Sequence, residues 1–244
     1  MVYLPLSRWI FESYGLNCTL ILCIKMGANR FFIVFLLLAG FCKAQTGKFS
    51  LKPSLGFTAC QVHGDSYSGY NKLGFAGGLY INAALKKSIS VEFGIIFIQK
   101  GAKHNQNPAK NDYRYYYLNL NYIELPLLLR CQYKKYFLTL GASAGYLANY
   151  YEASDIGKLT GLYPFQNFEY SCNIGAGRQL SPKFSFELRS NNSFVTIRPY
   201  GITSNVYYNN FIARSFNKGL YNNVLVISLF YKINTKTKSA ESKT

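Results

Sequence analysis

Four glutamates and five basic residues occupy positions from which they could act together chemically. They are Glu92, Glu124, Glu169 and Glu187, with Lys52, Lys72, Arg130, Arg178 and Arg189. Two carboxylates held close together in a dry site can serve as a general acid and a general base. The same groups can instead pair as buried ions and only hold the structure together. The elements that carry these residues decide between the two roles.

The other residue types with catalytic or ligand-binding capacity form no recognisable motif. One of the two histidines, His63, precedes Gly64, Asp65 and Ser66, but a His, an Asp and a Ser in one turn rarely reach the geometry of a catalytic triad. The sequence contains no nucleophile elbow, phosphate-binding loop or dinucleotide fingerprint. The cysteines of the later chain are too far apart for metal-ligand spacing; they are Cys60, Cys131 and Cys172. We therefore predict no catalytic residue, no metal and no cofactor.

Apolar and polar residues alternate with a period of two in eight separate runs, which predicts an all-β protein. The first run, from Lys48 to Ala59, is about twice as long as a usual strand. Strands of roughly 9–11 residues are the length needed to cross a bilayer at a tilt. The eight runs cover residues 48–59, 73–85, 89–98, 121–131, 136–148, 168–178, 184–190 and 223–233.

The connections between these runs alternate between short and long. The tight ones contain lysine and cover 86–88, 134–135 and 181–183, whereas the long ones cover 60–71, 99–118, 150–166 and 191–221. An even number of strands with short turns at one end and long loops at the other is typical of outer-membrane barrels. A closed sheet also satisfies every backbone hydrogen bond inside hydrocarbon. We therefore predict an eight-stranded antiparallel transmembrane β-barrel with short periplasmic turns and long extracellular loops.

Two strands depart from the simple pattern. Run 223–233 is apolar on both faces, and we assign Leu225, Ile227 and Leu229 to its outer face. Pro126 lies inside a predicted strand of a sheet without edges, where it removes a ladder hydrogen bond. We expect a β-bulge at Pro126 to accommodate the missing donor.

The start of the chain has the pattern of an export signal. Residues 26–44 combine the flanking cations Lys25 and Arg30, an apolar core from Phe31 to Phe41 and small residues before Gln45. We interpret 26–44 as a secretory signal peptide, 1–25 as an upstream over-extension, 45–233 as the barrel domain and 234–244 as a flexible polar tail. Export and a membrane barrel together predict an outer-membrane location.

The segment from Asn121 to Arg130, NYIELPLLLR, resembles a strand of the PorT-type outer-membrane β-barrel family of Bacteroidetes-like bacteria. The glycine-rich strand around 140–145 and the segments 174–177 and 186–189 are similar as well, so the resemblance covers about residues 47–233. It implies an outer-membrane barrel. By analogy with the family's name-giving member, it also suggests an accessory role in a protein secretion system.

A barrel of eight strands is just wide enough for side chains to fill it. This favours the structural role for the polar residues, which we predict to form a network of buried ion pairs inside the barrel. Which groups pair cannot be read from the sequence, and Arg130 with Glu124 serves as the test pair. The predicted network comprises Glu92, Glu124, Arg130, Glu169, Arg178, Glu187 and Arg189.

The net charge of +17 does not indicate nucleic-acid binding, because the cations are scattered over turns, loops and interior. We expect the turn lysines to face anionic lipid headgroups of the outer membrane or other envelope proteins. The predicted function is that of a non-enzymatic structural or interaction protein, most simply a monomer; the alternatives are an accessory secretion component and a narrow solute or ion pore. The predicted contact residues of its loops are Tyr113, Tyr115, Tyr116, Tyr163, Tyr207 and Tyr208.

Overall fold

The computed structural model describes residues 49–65, 67, 69–159, 164–199 and 219–234. The predicted upstream segment and signal peptide, and the tail after Asn234, lie outside this part of the chain. Eight long strands dominate it: β1 (Phe49–His63), β2 (Lys72–Lys86), β3 (Ile89–His104), β4 (Tyr116–Tyr133), β5 (Tyr136–Ser154), β6 (Phe168–Gln179), β7 (Phe184–Ser193) and β8 (Gly219–Tyr231).

The eight strands form one closed antiparallel sheet. Each strand pairs with the next one along the chain, and β8 pairs with β1 from Ser54–Phe230 to His63–Tyr221, which closes the ring. The predicted eight-stranded antiparallel barrel is therefore confirmed. Among the described residues, three two-residue strands extend the sheet: Gly157–Lys158 beside β5, Arg198–Pro199 beside β8 and Ile233–Asn234 beside β1. Residues Pro108–Lys110 form a 3₁₀ turn.

Within the described ranges, no helix has the length and apolar character needed to cross a membrane.

Short and long connections alternate as expected. Residues 87–88, 134–135 and 180–183 form the tight turns at one end, and the chain enters β1 and leaves β8 at that same end. The loops at the other end are shorter than predicted, because β3 continues to His104 and β4 begins at Tyr116. The strands thus extend beyond the apolar belt. In β4, inward positions there carry Leu118 and Leu120, and outward positions carry Asn119 and Asn121.

The outward positions of the strands carry the apolar belt and the inward positions are buried. Leu73 is 78% exposed and Leu138 is 64% exposed, values typical of lipid-facing side chains rather than of a soluble core. Along β8, Ile227 and Leu229 point outward while Phe230 is buried, so the register assigned to this strand is correct.

Pro126 is accommodated without the predicted bulge. Pairing between β3 and β4 passes from Phe93–Leu127 to Ile96–Glu124 in one register, so the ladder is interrupted opposite Pro126 but not shifted. Because Pro126 points into the interior, the strand keeps its alternation across the gap. The register shift of β4 lies instead against β5, between Asn121 and Tyr122.

Candidate functional site

The centre of the barrel is organised around the ammonium group of Lys100, whose side chain is fully buried. Its Nζ donates hydrogen bonds to Glu169 Oε1 at 2.9 Å and to Asn191 Oδ1 at 2.7 Å. It also lies 2.9 Å from Glu124 Oε2, with which it forms an ion pair. One cation thus joins β3 to carboxylates on β4 and β6 and to an amide on β7.

Neutral donors complete the coordination of the two carboxylates. Asn191 donates to Glu124 Oε1 at 2.8 Å, and Asn222 donates to Glu169 Oε2 at 2.8 Å. Ser171 also donates to Glu169, at 2.7 Å. Lys100 thus contacts both carboxylates, and neutral donors hold the remaining oxygens, which is the arrangement that buried ions need. The chemistry of this cluster is that of a structural plug.

A second cluster lies nearer the short turns and contains Glu92. Its Oε1 accepts hydrogen bonds from Lys52 at 2.5 Å, Asn82 at 3.1 Å and Arg130 at 3.3 Å. The Arg130 guanidinium lies over the Phe137 ring, 3.4 Å from its centroid. The test pair chosen from the sequence is therefore wrong: Arg130 pairs with Glu92 across β3 and β4, whereas Glu124 pairs with Lys100.

Glu187 and Arg189 are buried neighbours on β7 but interact with other residues. Thr139 donates a hydrogen bond to Glu187, and Arg189 Nη2 donates one to the Tyr80 hydroxyl at 2.8 Å. Among the described residues, neither takes part in an ion pair within 4.0 Å, and Nε and Nη1 of Arg189 have no hydrogen-bond partner.

Arg178 does not belong to the interior. Its side chain is exposed, and the guanidinium lies 5.6 Å from the centroid of the Tyr136 ring on the neighbouring strand. Gly177 takes the inward position beside it, so the strict alternation of β6 places Arg178 on the outer face at the short-turn rim. The other six residues of the predicted network are buried and point inward.

The sequence analysis missed several polar residues of the interior. Lys100, Glu152, Asn191 and Arg198 lay in segments predicted as loops, and Asn222 lay just before the last predicted strand. The sequence signal of this region was an inverted alternation, since Leu118 and Leu120 point inward in β4 while Asn119 and Asn121 point outward.

A cluster of buried apolar side chains adjoins the polar centre toward the long-loop end. Leu118 and Leu120 are completely buried there, and the other members are Val62, Ala102, Leu147, Phe165, Ile197, Leu220 and Val224. Glu152, the partner of Leu118 in the β4–β5 register, forms a two-pronged ion pair with Arg198, with Nη1–Oε1 at 2.9 Å and Nη2–Oε2 at 2.6 Å. The Tyr116 hydroxyl donates to the same carboxylate at 2.8 Å.

The long-loop end carries a stack of aromatic rings. Tyr67 stacks on His104 and on Tyr116, with ring centroids 4.6 and 5.2 Å away, and the Arg114 guanidinium lies 5.6 Å from the Tyr67 centroid. Asp112 accepts a hydrogen bond from Arg114 Nε at 3.0 Å and lies 2.8 Å from His104 Nε2.

The predicted loop tyrosines have different environments. Tyr113 is 62% exposed and Tyr115 is half-buried. Tyr116 is a correction: it begins β4, points inward and is buried against Glu152, so it offers no contact surface. The others lie outside the described residues; they are Tyr163, Tyr207 and Tyr208.

Two loop carboxyls at this end have shifted pKa values in opposite directions. Burial raises the pKa of Asp65 to about 6, although the Tyr67 backbone N–H donates to its Oδ1 at 2.9 Å. Hydrogen bonds from Arg114 lower the pKa of Asp112 to about 2. In the described part of the chain, no cluster of three or more His, Cys, Asp or Glu residues could hold a metal ion.

Residues 43–197 match the family described as outer membrane protein beta-barrel domain. Solved structures with a similar fold include Ail, the attachment invasion locus protein of Yersinia pestis, with 14% identity and a TM-score of 0.42 over 76% of this chain and 99% of that one. Neisserial surface protein A has 12% identity and a TM-score of 0.44 over 76% and 97%. CarO of Acinetobacter baumannii has 9% identity and a TM-score of 0.42 over 78% and 99%. No curated protein matches the chain in sequence.

Proposed function

Since this chain belongs to the family of outer membrane protein beta-barrel domains, we propose that it works there as a non-enzymatic structural and interaction protein whose long loops make the contacts. The chain is an outer-membrane β-barrel protein. The proposal concerns the task that this barrel performs.

One observation carries the proposal: the interior is closed by packed side chains, so the loop end is the part of the molecule available to partners outside the cell. Lys100, Leu118, Leu120 and Tyr122, which lie on the neighbouring strands β3 and β4, are all completely buried. A barrel filled in this way leaves no wide aqueous lumen, which argues against the pore alternative.

The ordered loop surface supports contacts with macromolecules. Tyr113 is exposed beside Arg114, and Arg114 is itself held by Asp112 and by the Tyr67 ring. Aromatic and arginine side chains on a pre-ordered surface are the residue types that contribute most at protein interfaces. The remaining surface partners in this proposal are outer-membrane lipids around the apolar belt, with the barrel as a monomer.

A finer assignment rests on the resemblance of residues 121–130 to the PorT-type strand. Under it, the chain assists a secretion system of the envelope. The pattern of residues 26–44 separately supports export through a signal peptide. A deletion strain that secretes normally would count against that accessory role while leaving the interaction proposal open.

The test places a photo-crosslinking amino acid at Tyr113 in living cells and compares it with the same amino acid at Leu127, which faces lipid on the outer belt. We expect protein adducts from position 113 and only lipid adducts from position 127. Equal adduct patterns would contradict the interaction role. The electrophoretic mobility of unboiled and boiled samples checks separately that both variants form the barrel.

A further inference from the structure

The mouth of the barrel at the short-turn end contains a cavity of about 320 Å³. Two cationic side chains reach its floor: Lys52 and Arg130 are 5% and 6% exposed. Four more cations line its rim. These rim cations are Lys86, Lys87, Lys134 and Lys232. Polar groups of neighbouring strands complete the wall.

The charge of this mouth is unbalanced in a way that the rest of the interior is not. Among the described residues, no acidic side chain lines the cavity, and the single carboxylate beneath it, Glu92, is shared by Lys52 and Arg130. Six cations against one carboxylate leave a net charge of +5. In the centre, by contrast, Lys100 faces two carboxylates, and near the loops Arg198 faces Glu152.

The floor cations retain hydrogen-bonding capacity. Within the described structure, Arg130 uses three of its five N–H groups, on Glu92 and on the Gln132 amide oxygen, and Lys52 uses one of its three on Glu92. The Phe137 ring beneath the guanidinium fixes its plane. Donors of both floor residues therefore remain for a ligand that enters from the mouth.

We propose that this mouth is a binding site for a phosphate-type oxyanion. A tetrahedral phosphate or diphosphate carries several negative charges and several acceptor oxygens, so it can contact the floor and the rim at once. A single carboxylate would leave most of the cations unneutralised. On the short-turn side, which faces the periplasm, such a group is available from a phospholipid headgroup of the inner leaflet or from a soluble phosphorylated compound.

The first test titrates inorganic pyrophosphate into the folded protein in non-ionic detergent, with heat of binding as the readout and ionic strength held constant. The variant Lys86→Gln/Lys87→Gln/Lys232→Gln removes three rim charges without disturbing the buried floor. We expect affinity to fall by about 100-fold, since each lysine near an anionic group contributes about fivefold. Lys134 is left in place because its backbone has a φ of 54°, in the left-handed region.

The matched control removes three lysines from the long-loop end by Lys103→Gln, Lys110→Gln and Lys158→Gln. Those charges lie more than a Debye length from the cavity, so affinity should stay within about twofold. Equal binding by the rim variant and wild type would overturn the proposal, as would absence of pyrophosphate binding. Tighter binding of a polyglutamate peptide than of pyrophosphate would overturn it in favour of an acidic protein partner.

Nanodiscs separate the two sources of the phosphate group. If the ligand is a lipid headgroup, pyrophosphate should bind more weakly in nanodiscs that contain phosphatidylglycerol than in nanodiscs that carry the same negative charge on oleic acid, which has no phosphate. If it is a soluble compound, the affinities should be equal. Both results support the site. The crosslinking test at the loops is independent of either, so the failure of one proposal leaves the other standing.

Discussion

Lys100 on β3 and Glu169 on β6 meet across the interior, with 2.9 Å between Nζ and Oε1. Two strands of the barrel wall, β4 and β5, lie between β3 and β6. Glu124 joins the same ammonium group from β4, at 2.9 Å. The contact ties distant parts of the sheet together through the centre. Its removal therefore affects the stability of the whole barrel rather than that of one hairpin.

We predict that Lys100→Met destabilises the barrel by about 3–5 kcal/mol, because two buried carboxylates lose their cation. The triple variant Lys100→Met/Glu124→Gln/Glu169→Gln should recover part of the loss, since it leaves no unpaired charge. Urea unfolding in lipid vesicles, followed by the mobility of unboiled samples, measures both. A triple variant less stable than the single one would contradict charge pairing as the source of stability.

The outer apolar belt predicts that the cost of a charged substitution depends on its depth in the membrane. Leu127→Arg places a cation among lipid-facing side chains in the middle of β4 and should cost about 2–4 kcal/mol. Tyr133→Arg, on the same face of the same strand but at its short-turn end, should cost about 0–1 kcal/mol. Equal free energies of unfolding for the two variants in vesicles would show that this face does not meet hydrocarbon.

Because packed side chains fill the interior, we predict that the barrel does not conduct ions. Protein that passes the heat-mobility test should give only background current in planar bilayers, because Leu118, Leu120 and Tyr122 are completely buried across the interior. The double variant Leu118→Ala/Leu120→Ala should also give only background current, since the Lys100 cluster still fills the barrel. Steady conductance from the wild type would contradict this prediction and support the pore alternative.

The belt was predictable from the sequence because lipid imposes one rule on every strand: alternate side chains must be apolar. That rule stops where the strands leave the membrane. In β4, Asn119 and Asn121 then point outward and Leu118 points inward, so the pattern inverts and no longer indicates a membrane strand. Lys100 was missed for this reason, since β3 continues past the belt that ends at Phe97.

Partners across the interior were beyond the sequence for a different reason. Alternation tells which face a side chain occupies, but the stagger of the strands sets its height in the barrel. Arg130 therefore meets Glu92 on β3 rather than Glu124 on its own strand. Arg178 was misassigned against the alternation itself: it directly follows the inward Gly177, so the period of two places it on the outer face, beside Tyr136.

Asp65 in the first long loop predicts a pH dependence near neutrality. Burial raises its pKa from 3.8 to about 6, against the hydrogen bond from the Tyr67 N–H and the nearby His63 and His104, whose positive charges would favour the carboxylate. A carboxyl with a raised folded-state pKa stabilises the fold fully below its unfolded value of 3.8 and loses that contribution as pH rises through about 6.

Asp112 has the opposite effect on stability, and it has it at lower pH. Because the folded state lowers its pKa to about 2, its stabilising contribution is lost only as the pH falls below 3.8. Of these two carboxyls, Asp65 is therefore the one that changes the stability of the fold between pH 3.8 and about 6. We expect its carboxyl carbon, assigned by comparison with Asp65→Asn, to titrate by NMR with a midpoint near 6 in micelles. Thermal stability of the wild type should fall across this window relative to Asp65→Asn. A midpoint near the ordinary value of 3.8 would mean that the loop leaves this carboxyl in water.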